Sequence, residues 1–286
     1  MNNNPIHKPG WLKINLGNNK RFSETGSLIS SQNLHTICQS GRCPNLGECW
    51  NRGSATFMIC GDVCTRSCKF CNTKTGRPSQ LDAGEPLRIA LSIKQLKLNH
   101  AVITSVDRDD LTDFGALHWA ETVKQIHLHN PDTTIETLVP DFMGNVDSLN
   151  LVVEAHPDII SHNMETVHRL TPAVRSAARY ERSLSVLKNI TQSDIPAKTG
   201  LMLGMGETED EVIELMNDVL SAGCRLMSIG QYLQPSRNHF PVVEYVHPDI
   251  FTKYREKALS LGFRHVESGP LVRSSYHSEN FLQSNV

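Results

Sequence analysis

The chain has 286 residues, of which 39% are hydrophobic and 20% are charged, with a formal net charge of −2. This balance gives no reason to expect binding to nucleic acid or to an anionic membrane, and no stretch approaches the roughly 18 consecutive apolar residues of a membrane-spanning helix. The N-terminal segment lacks the apolar core of a signal peptide, so we expect a cytoplasmic protein whose thiols are kept reduced.

The first part of the chain combines an unpatterned arm with a group of three cysteines. Residues 1–30 are polar and rich in Asn, Gly and Ser, which predicts an irregular arm. Seven of the eight cysteines follow in one short segment, and in a reducing compartment such a cluster indicates metal binding or redox chemistry rather than disulfides. The first three, spaced C-x4-C-x5-C, are Cys38, Cys43 and Cys49. This spacing alone does not determine the metal, and it leaves a four-ligand site one ligand short.

A second group of three cysteines directly follows a predicted strand at 55–61. Its members, spaced C-x3-C-x2-C, are Cys64, Cys68 and Cys71. Three thiolates on one loop suit three corners of a cubane iron–sulfur cluster and leave the fourth iron open to a non-protein ligand. A structural zinc site is the alternative, although zinc favours paired C-x2-C knuckles and four protein ligands. Cys60 and Cys224 are interpreted as small buried side chains.

Beyond residue 84 the chain alternates between strand-like and helix-like patterns. Including the strand before the second cysteine group, apolar β-branched runs predict strands at 55–61, 100–106, 133–139, 157–163, 196–204 and 225–233. A helical apolar stripe between two of them is predicted at Leu117, Ala120, Val123 and Ile126. Before the last strand, Thr208 and Glu211 form a capping box and Gly223 stops the helix, with a buried stripe predicted at Val212, Leu215, Met216 and Val219.

Strand–helix alternation of this kind predicts an α/β fold with a parallel sheet and helices outside it. About six βα units are too few for a closed eight-stranded barrel, which favours an incomplete (β/α)6 TIM-type barrel. A doubly wound open sheet is the alternative. In either architecture the chemistry is expected at the carboxyl ends of the strands, and the whole chain is expected to form a single domain, residues 1–286.

Several motifs together resemble one family. The segment CTRSCKFC, with Phe70 before its last cysteine, resembles the cluster motif of the radical S-adenosylmethionine superfamily. The first cysteine group with CPN and GECW, the near-terminal GPLVRSSYHSE and the segment KTGLMLGMGET resemble the lipoyl synthase family within it. The resemblance also includes VITSVDRDDL, ETLVPDF, SHNMETV and GQYLQPS, and extends over about residues 33–278.

The resemblance implies two [4Fe–4S] clusters and S-adenosylmethionine as cofactors. It places the radical-generating cluster on the second cysteine group, and the auxiliary cluster on the first group together with Ser275 of the RSSY motif. It also implies a division into an arm with auxiliary-cluster cysteines (1–54), a barrel (55–262) and a tail with RSSY (263–286). A serine ligand is chemically reasonable for a cluster that is consumed, because its harder oxygen holds iron of this kind less well than a thiolate.

The resemblance further implies a sulfurtransferase that inserts two sulfur atoms, at C6 and C8 of an octanoyl chain on a carrier-protein lysine. The product is the lipoyl cofactor, with 5′-deoxyadenosine and methionine as by-products. The implied partners are octanoylated carrier domains (2-oxoacid dehydrogenase E2 subunits and the glycine cleavage H protein), a low-potential electron donor and an iron–sulfur carrier that rebuilds the auxiliary cluster.

The predicted strand ends supply candidates for the S-adenosylmethionine site. Ser105 is expected at the methionyl amine, and Asn163 and Glu165 at the ribose hydroxyls and amino group. Arg179 is a candidate partner of the methionine carboxylate, with a surface ion pair as the alternative.

Three further segments border the expected site. Gly204 and Gly206 are expected to allow close approach of the cofactor, and Gln231 and Leu233 to flank the adenine. Residues 107–110 either position substrate or form a solvated loop. Two rival functions stay open: another radical sulfur-inserting enzyme with a small free substrate, and a non-catalytic electron-transfer or zinc-scaffold protein.

Overall fold

The computed structural model describes residues 7–13, 20–52 and 54–283. Residues 1–6 and 14–19 of the predicted arm and 284–286 of the predicted tail lie outside the described residues. The strands are, in chain order, β1 (His35–Thr36), β2 (Thr56–Ile59), β3 (Val63–Cys64), β4 (Lys74–Thr75), β5 (His100–Ser105), β6 (Thr134–Leu138), β7 (Ile159–Ser161), β8 (Ala197–Leu203), β9 (Leu226–Gln231) and β10 (His265–Gly269).

The helices lie between these strands and at both ends of the described chain. In order they are α1 (Lys20–Ser31), α2 (Ile37–Ser40), α3 (Leu46–Asn51), α4 (Glu85–Leu96), α5 (Ala116–His129), α6 (Val146–Val153), α7 (Thr171–Val174), α8 (Tyr180–Thr191), α9 (Glu209–Ser221), α10 (Pro248–Leu261) and α11 (Asn280–Gln283). Short 3-10 segments occupy Gly10–Leu12, Phe142–Gly144 and His168–Leu170. In the described part of the chain, every helix is too short or too polar to cross a membrane.

The main sheet has the strand order β1-β2-β5-β6-β7-β8-β9-β10. All neighbours pair in parallel except β1, which runs antiparallel to β2. The order follows the chain without the reversal of a doubly wound sheet, so helices cover one face and the other face curls inward. The predicted partial barrel and its six strands are confirmed. The sheet gains a seventh parallel strand, β10, which the sequence pattern did not predict.

Helix α9 forms as its sequence predicts. Thr208 and Glu211 make the capping box, each side chain bonding the other's backbone N–H. The predicted stripe is buried, at Val212, Leu215, Met216 and Val219. The helix ends at Ser221, and Gly223 follows with a φ of +88°, a left-handed conformation that glycine adopts without strain.

Helix α5 buries a different stripe from the predicted one. Leu117 is 62% exposed, so its place in the predicted stripe is wrong. The buried apolar residues are Ala116, Trp119, Val123 and Ile126. Steps of strictly three residues drift by about 60° each around a helix of 3.6 residues per turn. Alternating steps of three and four residues stay on one face, and the observed stripe follows them.

The prediction of an irregular arm is wrong from residue 20 onward, where helix α1 begins. The helix buries one face, at Thr25, Leu28 and Ile29. It packs on Trp50 of α3, whose ring centre lies 5.2 Å from that of Phe22. Gly26 allows this approach, since a Cβ there would lie 3.0 Å from the Trp50 ring. Tertiary contacts therefore stabilise a helix whose composition alone is a weak helix former.

The parallel strands separate an apolar layer from a polar interior. On β9, Met227 and Ile229 belong to the hydrophobic core, whereas Ser228 and Gly230 line a cavity at the strand's carboxyl end. This alternation follows from the two-residue period of a strand. Deeper in the barrel the interior holds charged groups, among them Glu136 of β6 and Lys198 of β8, both fully buried.

Candidate active site

A cavity of about 340 Å³ opens at the carboxyl ends of the barrel strands. Its lining includes the second cysteine group, two cysteines of the first group and the tail serine, namely Cys64, Cys68, Cys71, Cys38, Cys43 and Ser275. Cys49 lies beside this group without lining the cavity, and the charges of Cys38 and Cys43 act on it. All eight cysteines of the chain are free. The structure therefore brings both cysteine groups and the tail to one cavity.

A two-stranded ribbon holds the loop of the second cysteine group. Cys64 ends β3, and the N–H of Gly76, just after β4, donates to its carbonyl at 3.0 Å. The Cys64 Sγ accepts hydrogen bonds from the backbone N–H groups of Arg66 and Asp107, both at 3.4 Å. Two oriented N–H donors stabilise negative charge on a sulfur, which is the environment an iron-bound thiolate needs.

Burial favours the protonated form of Cys64 and Cys71 in the absence of a metal. Burial, together with the charge of the nearby Asp107 carboxylate, raises the pKa of Cys64 to about 12. Burial also raises the pKa of Cys71. Because a cysteine binds metal as a thiolate, metal binding at this loop has to displace the thiol protons. The positive charge of the metal then stabilises the thiolates, which burial has deprived of water.

Arg66, between the first two cysteines of the loop, has a side chain only 4% exposed and contacts three carboxylates. It donates to Asp109 at 2.7 and 2.8 Å, to Asp141 at 2.6 Å, and lies 3.2 Å from Asp107. Asp110 instead receives two hydrogen bonds from Arg108, both at 2.9 Å. The acidic segment 107–110 is thus no solvated loop: two of its carboxylates hold the cysteine loop in place.

Short helices present the first cysteine group. Cys38 lies on α2 and Cys49 on α3, and the N–H of Cys43 donates to the Cys38 carbonyl at 2.9 Å. Burial raises the pKa of Cys38 to about 11, and burial with the charges of the neighbouring cysteines raises that of Cys49 to about 12. The three thiols are close enough to influence one another's ionisation, as members of one site would be.

The tail reaches the first cysteine group through side-chain contacts. Asn45 Nδ2 donates to the Leu271 carbonyl at 2.7 Å, and the Tyr276 hydroxyl donates to Glu48 at 3.1 Å. Ser275 lines the cavity, and no hydrogen bond to its hydroxyl is formed by any described residue. The tail thus brings a free hydroxyl group to the cavity that the first cysteine group shares.

The donor sets fit the two clusters better than a single metal ion. Zinc bonds to sulfur at about 2.3 Å, so its ligand sulfurs must converge on one point. Among the described residues, no three His, Cys, Asp or Glu side chains are grouped so as to hold one ion. A cubane cluster spreads its irons over several corners, so its thiol ligands can stand further apart. Three thiols and one serine, or three thiols and an open corner, fit that arrangement.

Three of the four predicted S-adenosylmethionine contacts line the cavity, namely Ser105, Asn163 and Glu165. Arg179 does not line it: the side chain is exposed and precedes helix α8. Arg175, four residues earlier, lines the cavity and is buried. In the described residues, Asn163 Oδ1 and Arg175 Nε are buried without a hydrogen-bond partner. These two unpaired polar atoms fit a polar ligand in the cavity.

The glycines and Gln231 serve the protein's own packing rather than cofactor approach. A Cβ on Gly204 would clash with the Gln231 side chain and the Glu244 carbonyl, and one on Gly206 would meet Val243. The Gln231 amide donates to the carbonyls of Leu203 and Glu244, at 3.1 and 3.0 Å. The predicted close approach at the two glycines is therefore wrong.

Gln231 and Leu233 line the cavity, although the Gln231 amide is engaged with the chain itself. Gly200 and Gly230 border the cavity as well, and they were not among the predicted contacts. Neither were Arg66 and Arg175. The position of Arg66 inside the cysteine motif was an available signal, whereas nothing in the sequence distinguishes Arg175 from Arg179.

Comparison with known proteins agrees with this geometry. Residues 58–219 match the family model described as the radical SAM superfamily. The chain is 60% identical over 277 residues to a lipoyl synthase of Parabacteroides distasonis, covering 97% of this chain and 99% of the relative. It is 59% identical over 280 residues to a lipoyl synthase of Phocaeicola vulgatus, covering 98% and 99%.

The solved structure of a methylornithine synthase shares the fold, with a TM-score of 0.53 at 12% identity, covering 90% of this chain and 85% of that one. High identity over nearly the whole length, the superfamily match and the shared fold all agree. The chain belongs to the lipoyl synthase family of the radical SAM superfamily.

Proposed function

We propose that this chain inserts two sulfur atoms, at C6 and C8 of an octanoyl chain carried on a lysine of a carrier-protein domain. As a member of its family it is a radical SAM sulfurtransferase that uses S-adenosylmethionine and [4Fe–4S] clusters and acts on lipoyl-carrier proteins. The observation that supports the proposal most directly is the single cavity shared by Cys64, Cys68, Cys71, Cys38, Cys43 and Ser275. Both the radical source and the sulfur source must reach the same alkyl chain, and one shared cavity permits this.

In this proposal Cys64, Cys68 and Cys71 hold the radical cluster, and Cys38, Cys43, Cys49 and Ser275 hold the auxiliary cluster. When bound, S-adenosylmethionine and the first cluster supply the hydrogen-abstracting radical, and the auxiliary cluster supplies the sulfur. The chain's own residues bind and orient these groups. The two N–H donors on Cys64 stabilise its thiolate, and the Arg66 ion pairs fix the loop on which it lies.

The free hydroxyl of Ser275 suits a ligand that the auxiliary cluster can release. An alkoxide-type oxygen is a harder ligand than thiolate and binds iron–sulfur iron less well. The corner it holds can open while the three cysteines keep the rest of the site in place. Nearby Arg273 lines the cavity with a largely desolvated guanidinium, and burial lowers its pKa. Its positive charge lies close enough to Cys43 to favour the thiolate form of that cysteine.

Polar groups on one side of the cavity are proposed to bind S-adenosylmethionine. Ser105, Asn163 and Glu165 line the cavity. Arg175, which also lines it, is proposed as the partner of the methionine carboxylate in place of Arg179. Burial raises the pKa of Glu165, and the Arg175 charge opposes that rise. A carboxylate and a guanidinium at one cavity wall match the opposite charges of an amino-acid group.

The remaining assignments concern partners and organisation. We propose octanoylated 2-oxoacid dehydrogenase E2 subunits and the glycine cleavage H protein as carriers, with a low-potential electron donor and an iron–sulfur carrier that rebuilds the auxiliary cluster. The free state of all eight cysteines fits a reducing cytoplasm. Functionally, we divide the single domain into an arm (1–54), a barrel (55–262) and a tail (263–286), whose first residues form strand β10 of the barrel sheet.

Two rival functions fit the cavity less well. A non-catalytic electron carrier or zinc scaffold has no use for an enclosed space with unpaired buried polar atoms. An enzyme that inserts sulfur into a small free substrate has no use for a tail serine presented beside a second cysteine group.

The test is mass spectrometry of an octanoylated carrier peptide after anaerobic incubation with reduced, cluster-loaded enzyme and S-adenosylmethionine. We expect addition of two sulfur atoms. A Ser275→Ala variant should still cleave S-adenosylmethionine but release no lipoyl product, and Ser260→Ala, at an exposed serine of α10, serves as the matched hydroxyl deletion. Normal lipoyl formation by Ser275→Ala removes Ser275 as a functional ligand, and a wild-type enzyme that adds no sulfur removes the proposed reaction.

A further inference from the structure

Glu136 and Lys198 form an ion pair in the interior of the barrel, and the proposed reaction does not use it. Both side chains are fully buried, on β6 and β8. Lys198 Nζ donates to both Glu136 carboxylate oxygens, at 2.9 and 2.8 Å, and Ser161 donates to the same carboxylate at 2.7 Å. Neither charged residue lines the cavity. Desolvation makes such a pair expensive, so its presence calls for a role beyond stability.

The ammonium group of Lys198 has one further contact, and this contact reaches the tail. Lys198 Nζ donates to the backbone carbonyl of Ser274 at 2.7 Å. With the two bonds to Glu136, this uses all three hydrogens of the ammonium. The ring of Phe281 in α11 lies over the same nitrogen, 4.1 Å from its centre. The barrel interior therefore holds the tail by a charged hydrogen bond at the residue next to Ser275.

A second contact holds Ser274 from another strand end. Asn163, just after β7, donates from Nδ2 to the Ser274 hydroxyl at 2.7 Å. Ser274 is thus fixed at its carbonyl and at its side chain, while the hydroxyl of Ser275 has no bond to the described residues. Two anchors on one residue restrict the rotation of the peptide unit that joins it to the next.

We propose that Lys198, supported by Glu136, is a positioning residue for the auxiliary cluster: it fixes Ser274 so that Ser275 is presented to the fourth iron. This inference rests on the proposed role of Ser275 as a ligand. A serine oxygen binds iron less well than thiolate, so it gains more from being held in place beforehand. Ser274 is then the anchor of the RSSY motif and Ser275 the ligand.

The test measures iron loss from the auxiliary cluster to an excess of a strong iron chelator, under anaerobic conditions. It uses the full-length chain with Cys64, Cys68 and Cys71 changed to Ala, reconstituted so that only the auxiliary cluster is loaded. Lys198→Met alone leaves the Glu136 charge buried and unpaired, so the variant of choice is Glu136→Gln/Lys198→Met, which keeps the volume and removes both charges. We expect it to lose iron about tenfold faster or more, since a hydrogen bond from a charged donor is worth that factor.

Three further variants complete the test. Ser275→Ala in the same background gives the rate without the fourth protein ligand, and adding it to the double variant should bring no further acceleration. Tyr180→Phe, which removes a hydrogen bond of 2.8 Å to Asp218 between α8 and α9, is the control and should leave the rate unchanged. Ser274→Ala removes the Asn163 anchor without altering the barrel interior, and it should also accelerate iron loss.

The outcomes separate the inference from its premise. Rapid loss in Ser275→Ala with an unchanged rate in the Glu136→Gln/Lys198→Met variant overturns the positioning role and leaves Ser275 a ligand. An unchanged rate in Ser275→Ala overturns the ligand, and the positioning role with it. If the double variant does not fold, an unchanged rate in Ser274→Ala overturns the inference. A last control combines Glu136→Gln/Lys198→Met with Ala at Cys38, Cys43 and Cys49, so that only the radical cluster is loaded. Faster iron loss from that cluster would show that the double variant destabilises the whole protein, and this result also overturns the positioning role.

Discussion

The guanidinium of Arg66 donates to the carboxylate of Asp141 at 2.6 Å, and both side chains are almost fully buried. Burial alone would raise the pKa of Asp141, but the Arg66 charge and hydrogen bond outweigh it and lower the pKa to about 2. Arg66 belongs to the loop of the second cysteine group, and Asp141 follows β6. The ion pair thus fastens the cysteine loop to the barrel.

Replacing Arg66 by Gln should therefore destabilise the fold and the cluster loop together. The buried carboxylate of Asp141 and the partly exposed carboxylate of Asp109 would lose their principal counter-charge, and breaking a buried pair such as Arg66–Asp141 costs about 3–5 kcal/mol. Denaturant unfolding measures the loss. Arg169→Gln, which breaks an exposed pair with Glu211 at 2.6 Å, is the matched control and should change stability little. Equal effects from the two variants would contradict a special role for the buried network.

Iron analysis should count two clusters and assign them to the two cysteine groups. Anaerobically reconstituted chain should hold about eight irons, and about four after Cys64, Cys68 and Cys71 are changed to Ala. Changing Cys38, Cys43 and Cys49 to Ala should also leave about four, with cleavage of S-adenosylmethionine retained. Cys60→Ala is the control: this thiol is buried beside Glu85, whose side chain accepts its backbone N–H at 2.8 Å, and all the iron should remain. Four or fewer irons in the unaltered chain would contradict the two-cluster site.

Acid should destabilise the protein through His162. Burial and the Arg175 charge lower the pKa of this fully enclosed imidazole to about 4, while its ring bonds the Val139 carbonyl at 2.9 Å. The unfolded chain takes up a proton near pH 6.5 and the folded chain does not, so stability falls as the pH drops from about 6.5 to 4. The full contribution is about 3 kcal/mol.

Unfolding free energies of the wild type and of His162→Asn, measured across this pH range without clusters, check the prediction. The Asn amide can keep the bond to Val139 but does not titrate. Since all other ionisable groups remain in both proteins, the difference between the two curves isolates the imidazole. Parallel curves from pH 6.5 to pH 4 would refute the prediction.

The corrected stripe of α5 predicts opposite outcomes for two neighbouring residues. Trp119→Ala should lower the free energy of unfolding by about 3–5 kcal/mol, because it leaves a cavity at a fully buried site. Leu117→Ser should change it by no more than about 0.5 kcal/mol, because that side chain is mostly exposed. Denaturant unfolding of the two variants side by side decides which stripe packs on the sheet.

The sequence predicted those elements whose signals are local. Six strands, the capping box at Thr208 and the two cysteine groups all depend on residues a few positions apart. Strand β10 escaped prediction because Glu267, Ser268 and Gly269 give it a polar sequence, and it pairs with only one neighbour, β9. Helix α1 escaped because its helical state depends on packing against Trp50.

The site was predictable in its ligand types but not in its support. Motif spacing pointed to the thiols and the resemblance to Ser275 as proposed ligands, whereas the contacts of Arg66, Lys198 and Glu136 are with partners far along the chain. Arg179, the predicted partner of the methionine carboxylate, is exposed, whereas Arg175 of the same segment lines the cavity. Which arginine turns inward depends on the backbone at the end of α7, and no local pattern records it.

The proposed auxiliary site draws its ligands from the two edges of the open sheet. Its cysteines follow β1 and precede β2, and its serine follows β10, the strand at the opposite edge. During synthesis the three thiols leave the ribosome early, and their set stays incomplete until β10 and the turn after it have been made. The site for the radical cluster, with all its cysteines on one loop, has its thiols together much sooner. With the proposed ligands, the full ligand set of the auxiliary cluster is therefore complete only after the tail has been made and folded.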